Sequence, residues 1–574
     1  MNLKQLLDDK VTAAMTAAGV PDAQAVVKQA QRLEFGHYQV NGIMAAAKKQ
    51  KTNPRELAEK VLVQLGDDVN LCLEVAGPGF INITLTPAFL AHTLQKLQPS
   101  ERLGIDKEPG KVIVVDYSAP NLAKEMHIGH LRSTTIGDAA VRILEFLGHQ
   151  VVRANHVGDW GAQFGSLLAY MDQLEKQGEK PSSELKDLEK FYQSASALFR
   201  TDETFAKKAR NFVVKLQSGD EKCLALWEEF IAVSTRHCQA VYDQLNITLT
   251  TDDIMAESAY NDDLPKVVEE LKQRDLLVES DGAQCVFLDE FKGKDDKPLP
   301  AIVQKSDGGY PYMATDLAAV RYRTNSLNAH EVLYFVGSQQ LLHLSQVFAV
   351  ATAAGYISKE QRFRHLPFGW VLKTDGTPFK TRDGADVKLI DVLNEAVDRA
   401  YKLVEEKNPD LSPEDKKNIA RVVGIGAIKY AELSKNRITD YIFDWDTMLS
   451  FEGNTAPYLQ YAYSRIRSIF RRENISPRDI SGEFHLTEEA EIRLAVKLLQ
   501  FNEAIDGVIE DFQANVLCNY LFGLAGTFMT FYEVCPVLKA SEPHRTSRLL
   551  LCDLTARTLH RGLNLLGIET VEQM

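Results

Sequence analysis

The sequence predicts a multidomain α/β protein in which a core with a parallel β-sheet lies between an α+β amino-terminal domain and an all-α carboxy-terminal domain. A chain of 574 residues is too long for one hydrophobic core, and at roughly 150 residues per domain it has room for about three or four domains. From residue 112 apolar runs alternate with longer amphipathic segments, which is typical of βαβ units. After about residue 388 the apolar residues follow helical spacing, as in AVKLLQFNEAIDGVIEDF.

The first 108 residues are expected to form a separate α+β domain. They contain a helical stretch, PRELAEKVLVQLG, and a short run with strand character, GFINITL. The segment LQPSERLGIDKEPGK that follows is rich in Pro, Gly and charge, which is typical of a linker. The predicted division is therefore 1–108, a central domain at 109–388 with insertions at about 171–300, a helical connecting region at 389–450 and an all-helical domain at 451–574.

Four apolar runs are the expected strands of the central parallel sheet: VIVVDY, VVRANHV, EVLYFVG and FGWVL. The Lys- and Glu-rich stretch between about 171 and 225 has no such run, so it is predicted to be a mainly helical insertion. No convincing strand follows residue 388.

Composition and charge limit the possible functions. Hydrophobic residues make up 45% of the chain and charged residues 25%, which are ordinary values for a soluble protein. No apolar run approaches the ~18 residues of a membrane span, and the start MNLKQLLDDKVTAAM is a poor signal peptide, so we expect a cytoplasmic protein. The net charge of −14 means that any contact with nucleic acid is local. Seven cysteines without a CxxC pair indicate neither a disulfide framework nor a thiolate zinc site.

The stretch VIVVDYSAPNLAKEMHIGHLRSTTIGDAAVRILEFLG, residues 112–148, begins as a strand and ends as a helix, with two histidines between them. His127 and His130 are three residues apart at the predicted first turn of the helix, so they project on one face. Gly129 between them removes a side chain where a phosphate could approach the backbone. Free N–H groups and the helix dipole favour an anion at such a turn. The pattern predicts a polyphosphate site at the carboxyl edge of the sheet.

Two other interpretations of the histidine pair remain open at this point. An HxxH pair could bind zinc, although the HExxH motif requires a glutamate where Ile128 stands. The two rings could also simply satisfy local hydrogen bonds of the turn.

Five longer motifs indicate a family. HIGH at 127–130 is similar to the signature of class I aminoacyl-tRNA synthetases, and the stretches SAPNLAKEMHIGHLRSTTIGDA, NHVGDWGAQFG, YPYMATDLAAVRYR, GSQQLLHLSQVF and FDWDTMLSFEGNTAPYLQYAYSRIRSIFRR all resemble arginyl-tRNA synthetase of the bacterial type. The likeness runs from near residue 30 to the carboxy terminus. It implies a Rossmann-like class I synthetase core, ligation of L-arginine to tRNA(Arg) through an arginyl-adenylate, and release of AMP and pyrophosphate. It also implies that activation needs bound tRNA, that Mg²⁺ accompanies ATP without a zinc site, and that the protein is a monomer.

The resemblance implies which residues bind ATP and act in catalysis. The implied ATP-binding residues are Pro120, His127, Ile128, Gly129, His130 and Lys380, and the implied catalytic residues are His127, Gly129, His130, Lys124 and Lys380. The second lysine loop of the class is degenerate here, LKTDGTPFKTRDG, and only Lys380 matches clearly. Our hypothesis is that Lys124, just before the histidine motif, and Lys380 share the work of holding the phosphates.

A guanidinium group is a planar, permanently charged fork, so we expect carboxylates to bind the substrate arginine. Asp116 ends the first strand and Asp316 follows YPYMAT, on segments that should converge at the carboxyl edge of the sheet. The full set of arginine-binding residues implied by the resemblance is Asp116, Ser118, Asn121, Tyr312, Asp316 and Gln340.

The two ends of the chain resemble RNA-binding domains. The amino-terminal part is similar to the domain that meets the tRNA elbow in this family, although His37 stands where relatives often have an acidic residue. The carboxy-terminal part is similar to the anticodon-binding domain. Its segment PYLQYAYSRIRSIFRR interleaves tyrosines with arginines, which suits single-stranded RNA. The tRNA-binding candidates are Tyr458, Tyr461, Arg465, Arg467 and Arg471, beside a predicted core stripe of Leu459, Ala462, Ile466 and either Ile469 or Phe470.

Two other functions remain as alternatives. One is a synthetase-like protein that binds tRNA or nucleotide without ligating anything. The other is a nucleotidyl-transferring enzyme on the same fold, or a class I ligase for another amino acid.

Overall fold

The computed structural model describes residues 2–178, 188–293, 296–377, 379 and 387–574. Lys380 lies outside the described residues. The chain folds into two compact units, of which the first comprises residues 1–106, 450–564 and 569–574, and the second residues 107–449 and 565–568. Among the helices of the described ranges, none is both long enough and apolar enough to cross a membrane.

The secondary structure alternates as follows along the described chain. The α-helices are α1 (Leu3–Ala17), α2 (Gly42–Gln50), α3 (Pro54–Leu65), α4 (Pro87–Leu97), α5 (Leu131–Leu147), α6 (Ala162–Lys176), α7 (Leu188–Thr201), α8 (Glu203–Gln217), α9 (Glu221–Gln244), α10 (Leu264–Gln273), α11 (Tyr312–Asn325), α12 (Leu341–Ala353), α13 (Leu389–Lys407), α14 (Pro413–Leu433), α15 (Trp445–Met448), α16 (Ala456–Arg472), α17 (Glu489–Leu499), α18 (Phe501–Asp511), α19 (Ala514–Val534) and α20 (His544–Leu565). The β-strands are β1 (Val27–Gln29), β2 (Tyr38–Val40), β3 (Leu71–Ala76), β4 (Phe80–Leu85), β5 (Val112–Asp116), β6 (Gln150–Ala154), β7 (Leu277–Ser280), β8 (Ala283–Val286), β9 (Ala301–Gln304), β10 (Glu331–Tyr334), β11 (Arg362–His365), β12 (Val371–Leu372) and β13 (Tyr441–Ile442).

The first unit combines an antiparallel sheet with helices from both ends of the chain. Its strands follow the order β1-β2-β4-β3, with Tyr38 opposite Ile83. Ile81 and Ile83 are fully buried, because alternate residues of a strand point to the same face and this face meets the helices. Helices α16–α20 bury Phe528 and Phe531 in the same unit.

The second unit is built on a four-stranded parallel sheet in the order β11-β10-β5-β6. Val114 and Val115 of β5 and Val332 and Leu333 of β10 are fully buried, as expected for a sheet with helices on both faces. Parallel register brings Asp116, at the end of β5, opposite the last residue of β10. The polar turns after these strands therefore meet at one edge of the sheet.

Three details differ from the sequence prediction. The fourth strand of the parallel sheet is β11, whose charged sequence RFRH is tolerated because it forms the edge of the sheet. The run FGWVL contributes β12, which pairs with β13 rather than with the central sheet. The prediction of no strand after residue 388 is wrong, because β13 forms through this backbone pairing. It has only two residues, too few for the alternation of apolar and polar residues that identifies a strand in the sequence.

Gly137 gives a test of the packing between α5 and the first strand of the parallel sheet. A Cβ at this glycine would overlap Cβ and Cγ of the fully buried Tyr117. We expect Gly137→Ala to destabilise the second unit by about 1–3 kcal/mol, despite the better helix propensity of alanine. Thermal unfolding followed by circular dichroism measures this. Gly526→Ala is the matched control, because Gly526 lies in helix α19 with no atom within 4 Å of the added Cβ, and it should leave stability unchanged or raise it. Equal effects of the two substitutions would contradict this packing.

Candidate active site

The turn after β5 is held in an unusual conformation by buried hydrogen bonds. Ser118 and Ala119 have φ angles of 68° and 46°, in the left-handed region that non-glycine residues rarely adopt. The Ser118 N–H donates to Oγ of Ser133 at 2.9 Å, and the Ala119 N–H donates to Oδ1 of Asn155 at 3.1 Å. The Ser118 hydroxyl lies 2.8 Å from the Tyr242 hydroxyl, inside the protein. Ser118 therefore fixes the turn, and its side chain does not line the cavity described below.

The two histidines of the turn are locked by backbone N–H groups. Nδ1 of His127 accepts from the Gly129 N–H, and Nδ1 of His130 accepts from the His127 N–H, each at 3.1 Å. The ring centroids are 4.1 Å apart. Nδ1 acts as the acceptor in the His127 ring, so the proton of that ring, when neutral, lies on Nε2. Nδ1 of His130 lies 3.3 Å from the His127 carbonyl as well, and it accepts from the His127 N–H when its own ring proton is on Nε2. A Cβ on Gly129 would lie 2.8 Å from Cε1 of His127, so the glycine makes room for this ring.

His130 is uncharged at physiological pH. Burial, together with smaller contributions from the charges of His127 and Lys124, lowers the pKa of His130 to about 3, although a backbone hydrogen bond to His127 acts in the opposite direction. Lys124 therefore lies close enough to affect the pKa of the His130 ring. Two other residues predicted to bind ATP belong to the framework of the turn, since the side chain of Ile128 is buried and the Pro120 carbonyl accepts from the Gly158 N–H at 3.1 Å.

Five of the six predicted arginine-binding residues line one cavity of about 340 Å³ at the carboxyl edge of the parallel sheet. They are Asp116, Asn121, Tyr312, Asp316 and Gln340. The cavity volume is in the range of small-ligand pockets, roughly 300–1,000 Å³. The sequence analysis missed further polar residues of its wall, which are His156, Glu257, Thr315, Tyr334 and His343.

The two predicted aspartates have different environments. Oδ2 of Asp316 lies 2.6 Å from Nε2 of His343, and its Oδ1 is 3.8 Å from Nε2 of His156. Oδ2 of Asp116 accepts from Nη2 of the fully buried Arg323 at 2.6 Å. The Arg323 guanidinium also lies 5.0 Å above the ring of Tyr334. Oδ1 of Asp116 makes no hydrogen bond to a residue of the described ranges, so it is available on the cavity side.

Glu257 adds a third carboxyl group to the cavity. Burial raises its pKa to about 8, and the nearby charges of Asp159 and Asp316 contribute in the same direction. The Glu257 N–H donates to the Val157 carbonyl at 3.1 Å, and the next residue, Ser258, binds Asp159. These contacts fix Glu257 against the NHVGDWG motif, about 100 residues earlier in the chain. No local motif surrounds Glu257, so only the tertiary structure identifies it.

The tRNA-binding candidates on helix α16 differ in their exposure and in their contacts. The predicted core stripe is confirmed, since Leu459, Ala462, Ile466, Ile469 and Phe470 are all buried. Tyr461 is exposed, and the guanidinium of Arg465 lies 5.6 Å above the Tyr532 ring. Tyr458 packs edge-on against Phe522. Arg467 and Arg471 both bind Glu572, with Nε of Arg467 3.0 Å from its carboxylate.

Family models match most of the chain. The model of the class I tRNA synthetase (R) catalytic domain matches residues 93–445, the DALR anticodon binding domain matches 459–574, and the arginyl tRNA synthetase N terminal domain matches 1–85. The arginine–tRNA ligases of Hahella chejuensis and of a Marinomonas species are each 55% identical to this chain, with 100% of both sequences covered.

Solved structures agree with these matches. The arginyl-tRNA synthetase of Plasmodium falciparum is similar with a TM-score of 0.86 and 31% identity, over 100% of this chain and 99% of that one. The enzyme from Thermus thermophilus gives a TM-score of 0.82 at 26% identity, with both chains covered completely.

The parallel sheet, the histidine turn at its carboxyl edge and the matched catalytic domain are those of a class I aminoacyl-tRNA synthetase, an ATP-dependent ligase. The predicted fold class is confirmed. Within that class the chain belongs to the arginyl-tRNA synthetase family.

Proposed function

We propose that this ligase activates L-arginine in the acidic cavity and transfers it to tRNA(Arg), through the residues assigned below. The observation that supports this assignment is the convergence of Asp116, Asp316 and Glu257 on one cavity, whose wall also includes Asn121 of the segment that leads to the histidines. Three carboxyl groups in a small cavity suit a cationic ligand. An uncharged amino acid side chain would offer these carboxyl groups no additional cationic partner, whereas a guanidinium would, and this difference in free energy favours arginine.

In the proposed reaction the arginine carboxylate attacks the α-phosphorus of ATP, and the bond to pyrophosphate breaks. Asp316 and Glu257 hold the guanidinium group, Asp116 presents Oδ1 to the substrate, and Asn121 and Gln340 supply polar contacts. These groups position the substrate, which is the main requirement of phosphoryl-type chemistry. The arginyl group then passes from the adenylate to the terminal ribose of tRNA, and AMP leaves.

His127 and His130 are the proposed ligands of the ATP phosphates, through Nε2–H. The neutral His130 ring keeps one N–H donor throughout the physiological pH range. Lys124, and Lys380 outside the described residues, supply positive charge in this proposal. Mg²⁺ enters with ATP as part of the substrate. Within the ranges that the structure describes, no three His, Cys, Asp or Glu side chains come together in a way that could hold a metal.

The RNA is proposed to contact both ends of the chain, residues 1–108 and 451–574. On α16, Tyr461 and Arg465 offer an aromatic ring and a guanidinium group for a base and a phosphate. Arg467 and Arg471 already bind Glu572, so their contribution would include fixing the carboxy-terminal segment. We place the protein in the cytoplasm as a monomer.

Arginine-dependent ATP–pyrophosphate exchange, with and without tRNA, tests the function directly. We expect exchange only with arginine, and only when tRNA is present. Asp316→Asn should lower kcat/KM for arginine by roughly 10- to 100-fold, because a hydrogen bond to a charged group contributes about 1.5–3 kcal/mol. Asp289→Asn, at an exposed position of the same unit, is the control. Unchanged arginine kinetics in Asp316→Asn would refute the proposed pocket.

The proposed role of Lys124 is tested by measuring KM for ATP. Lys124→Ala should raise KM for ATP in the exchange reaction by roughly tenfold while KM for arginine changes little, because a charge-assisted contact to a phosphate is lost. Lys111→Ala, at an exposed position near the opposite end of β5, is the matched control. If Lys124→Ala behaved like this control, the proposed sharing of the phosphates by two lysines would be wrong.

The pKa of Glu257 predicts a pH dependence of arginine binding. Glu257 is protonated below about pH 8 in the empty cavity, whereas a bound guanidinium favours its carboxylate. Arginine affinity should therefore rise between pH 6 and 8, by at most about tenfold per pH unit, and level off above. Calorimetry in two buffers of different ionisation enthalpy should detect proton release. His156 and His343 also lie in the cavity wall, so Glu257→Gln is needed to attribute the proton release to Glu257. This variant should bind more weakly and release fewer protons, and an unchanged proton release would exclude Glu257 as its source.

A further inference from the structure

The first unit contains a second cavity, about 540 Å³ in volume and half-open to solvent. Its wall is formed by α17, α19 and the region around Gly36 and His37. The volume is again in the range of small-ligand pockets. Every lining residue belongs to the first unit, so this cavity is distinct from the active site in the second unit.

Lys497 places a positive charge in the wall of this cavity. Burial lowers the pKa of the Lys497 ammonium group, and the negative charge of Glu503 offsets part of this effect. Among the residues that the structure describes, the ammonium makes no hydrogen bond and no ion pair. Its contact is the ring of Tyr520, whose centroid is 5.0 Å from Nζ. A partly buried charge without a counter-ion is costly, and an anion in the cavity would remove this cost.

Glu503 does not act as that counter-ion, because other groups occupy its carboxylate. Oε1 accepts from the Tyr38 hydroxyl at 2.5 Å and from the Lys4 N–H at 3.1 Å. Oε2 accepts from Nε2 of Gln29 at 2.8 Å. These contacts occupy both carboxylate oxygens, and within the described residues Glu503 forms no ion pair with Lys497.

The rest of the wall offers further N–H groups to an anion. Nδ1 of His37 accepts from the Leu85 N–H at 3.0 Å, so the ring proton lies on Nε2. Arg493 binds Glu489 through Nε and Nη2, which leaves Nη1 without a partner among the described residues. The wall formed by α19 includes Gly523 and Gly526, and a Cβ on Gly526 would meet no atom within 4 Å. The helix thus leaves open the space beside these donors.

We propose that this cavity binds a phosphate group, with Lys497 providing the charge and His37 and Arg493 providing further N–H donors. An oxyanion is the ligand that such donors recognise, and phosphate has enough acceptor oxygens for all three. The group could belong to a small phosphate compound or to the tRNA backbone. The second source depends on the proposed function, whereas the first is independent of it.

Binding of inorganic phosphate to the tRNA-free protein, measured by calorimetry, tests the small-molecule source. Filter binding of tRNA over a series of KCl concentrations tests the backbone source. Lys497→Met keeps the length of the side chain and removes its charge. It should weaken phosphate binding by roughly tenfold. If the ligand is instead a tRNA phosphate, Lys497→Met should weaken tRNA binding by a similar factor. It should also reduce the slope of log K against log [KCl] by about one.

Two further variants make the result unambiguous. Gly526→Leu should fill the cavity without removing a charge. It should therefore weaken the binding of the same ligand that Lys497→Met affects. Lys96→Met, at an exposed position on α4 of the same unit, should change neither affinity. Lys497→Met should melt at the parent temperature or higher, since it removes an uncompensated charge, so weaker binding cannot be attributed to unfolding. If Lys497→Met and Gly526→Leu bind phosphate and tRNA as the parent does, the proposal is wrong.

Discussion

The hydrogen bonds from two backbone N–H groups to the histidine rings determine what the turn after β5 can do. They engage Nδ1 of His127 and of His130, which leaves Nε2 of each ring for a ligand. The low pKa of His130 then keeps this ring neutral, so its donor does not depend on pH. Two donors fixed before the ligand arrives lose little entropy on binding, which suits a site whose task is to position phosphates. Gly129 is required for this arrangement, because a side chain there would displace the His127 ring.

The carboxyl groups of the acidic cavity have partners within the chain. Arg323 is buried against Asp116 and neutralises its carboxylate. Asp316 lies between two histidines, and Glu257 keeps its proton up to about pH 8. In the proposed binding mode, the cavity becomes more negative as arginine binds, through loss of the Glu257 proton. Without ligand, Glu257 is protonated, so the three carboxyl groups repel one another less than three ionised carboxylates would.

Local patterns in the sequence identified the parts of this site that follow directly from strand and helix boundaries. Asp116 ends a buried apolar run and Asp316 lies in the first turns of a helix, so the parallel topology alone brings them to one edge. Glu257 and Arg323 could not be found in this way, since their roles depend on contacts with residues about 100 and 207 positions away. Ser118 was assigned to the substrate, but its left-handed conformation turns the hydroxyl toward Tyr242, and a φ angle of this kind leaves no signal in the sequence.

A buried ion pair connects the histidine helix to the strand pair next to the second lysine loop. Nε of Arg132, on α5, lies 3.1 Å from Oε2 of Glu432, and the two side chains are 1% and 0% exposed. The Tyr441 hydroxyl donates to the same carboxylate, and the Tyr441 N–H donates to the Trp370 carbonyl just before β12. Desolvation raises the pKa of Glu432 to about 7, although Arg132 and the tyrosine both favour its charged form. A pair that is so costly to bury contributes little net stability, so its effect lies in geometry: it fixes the start of the loop relative to the two histidines.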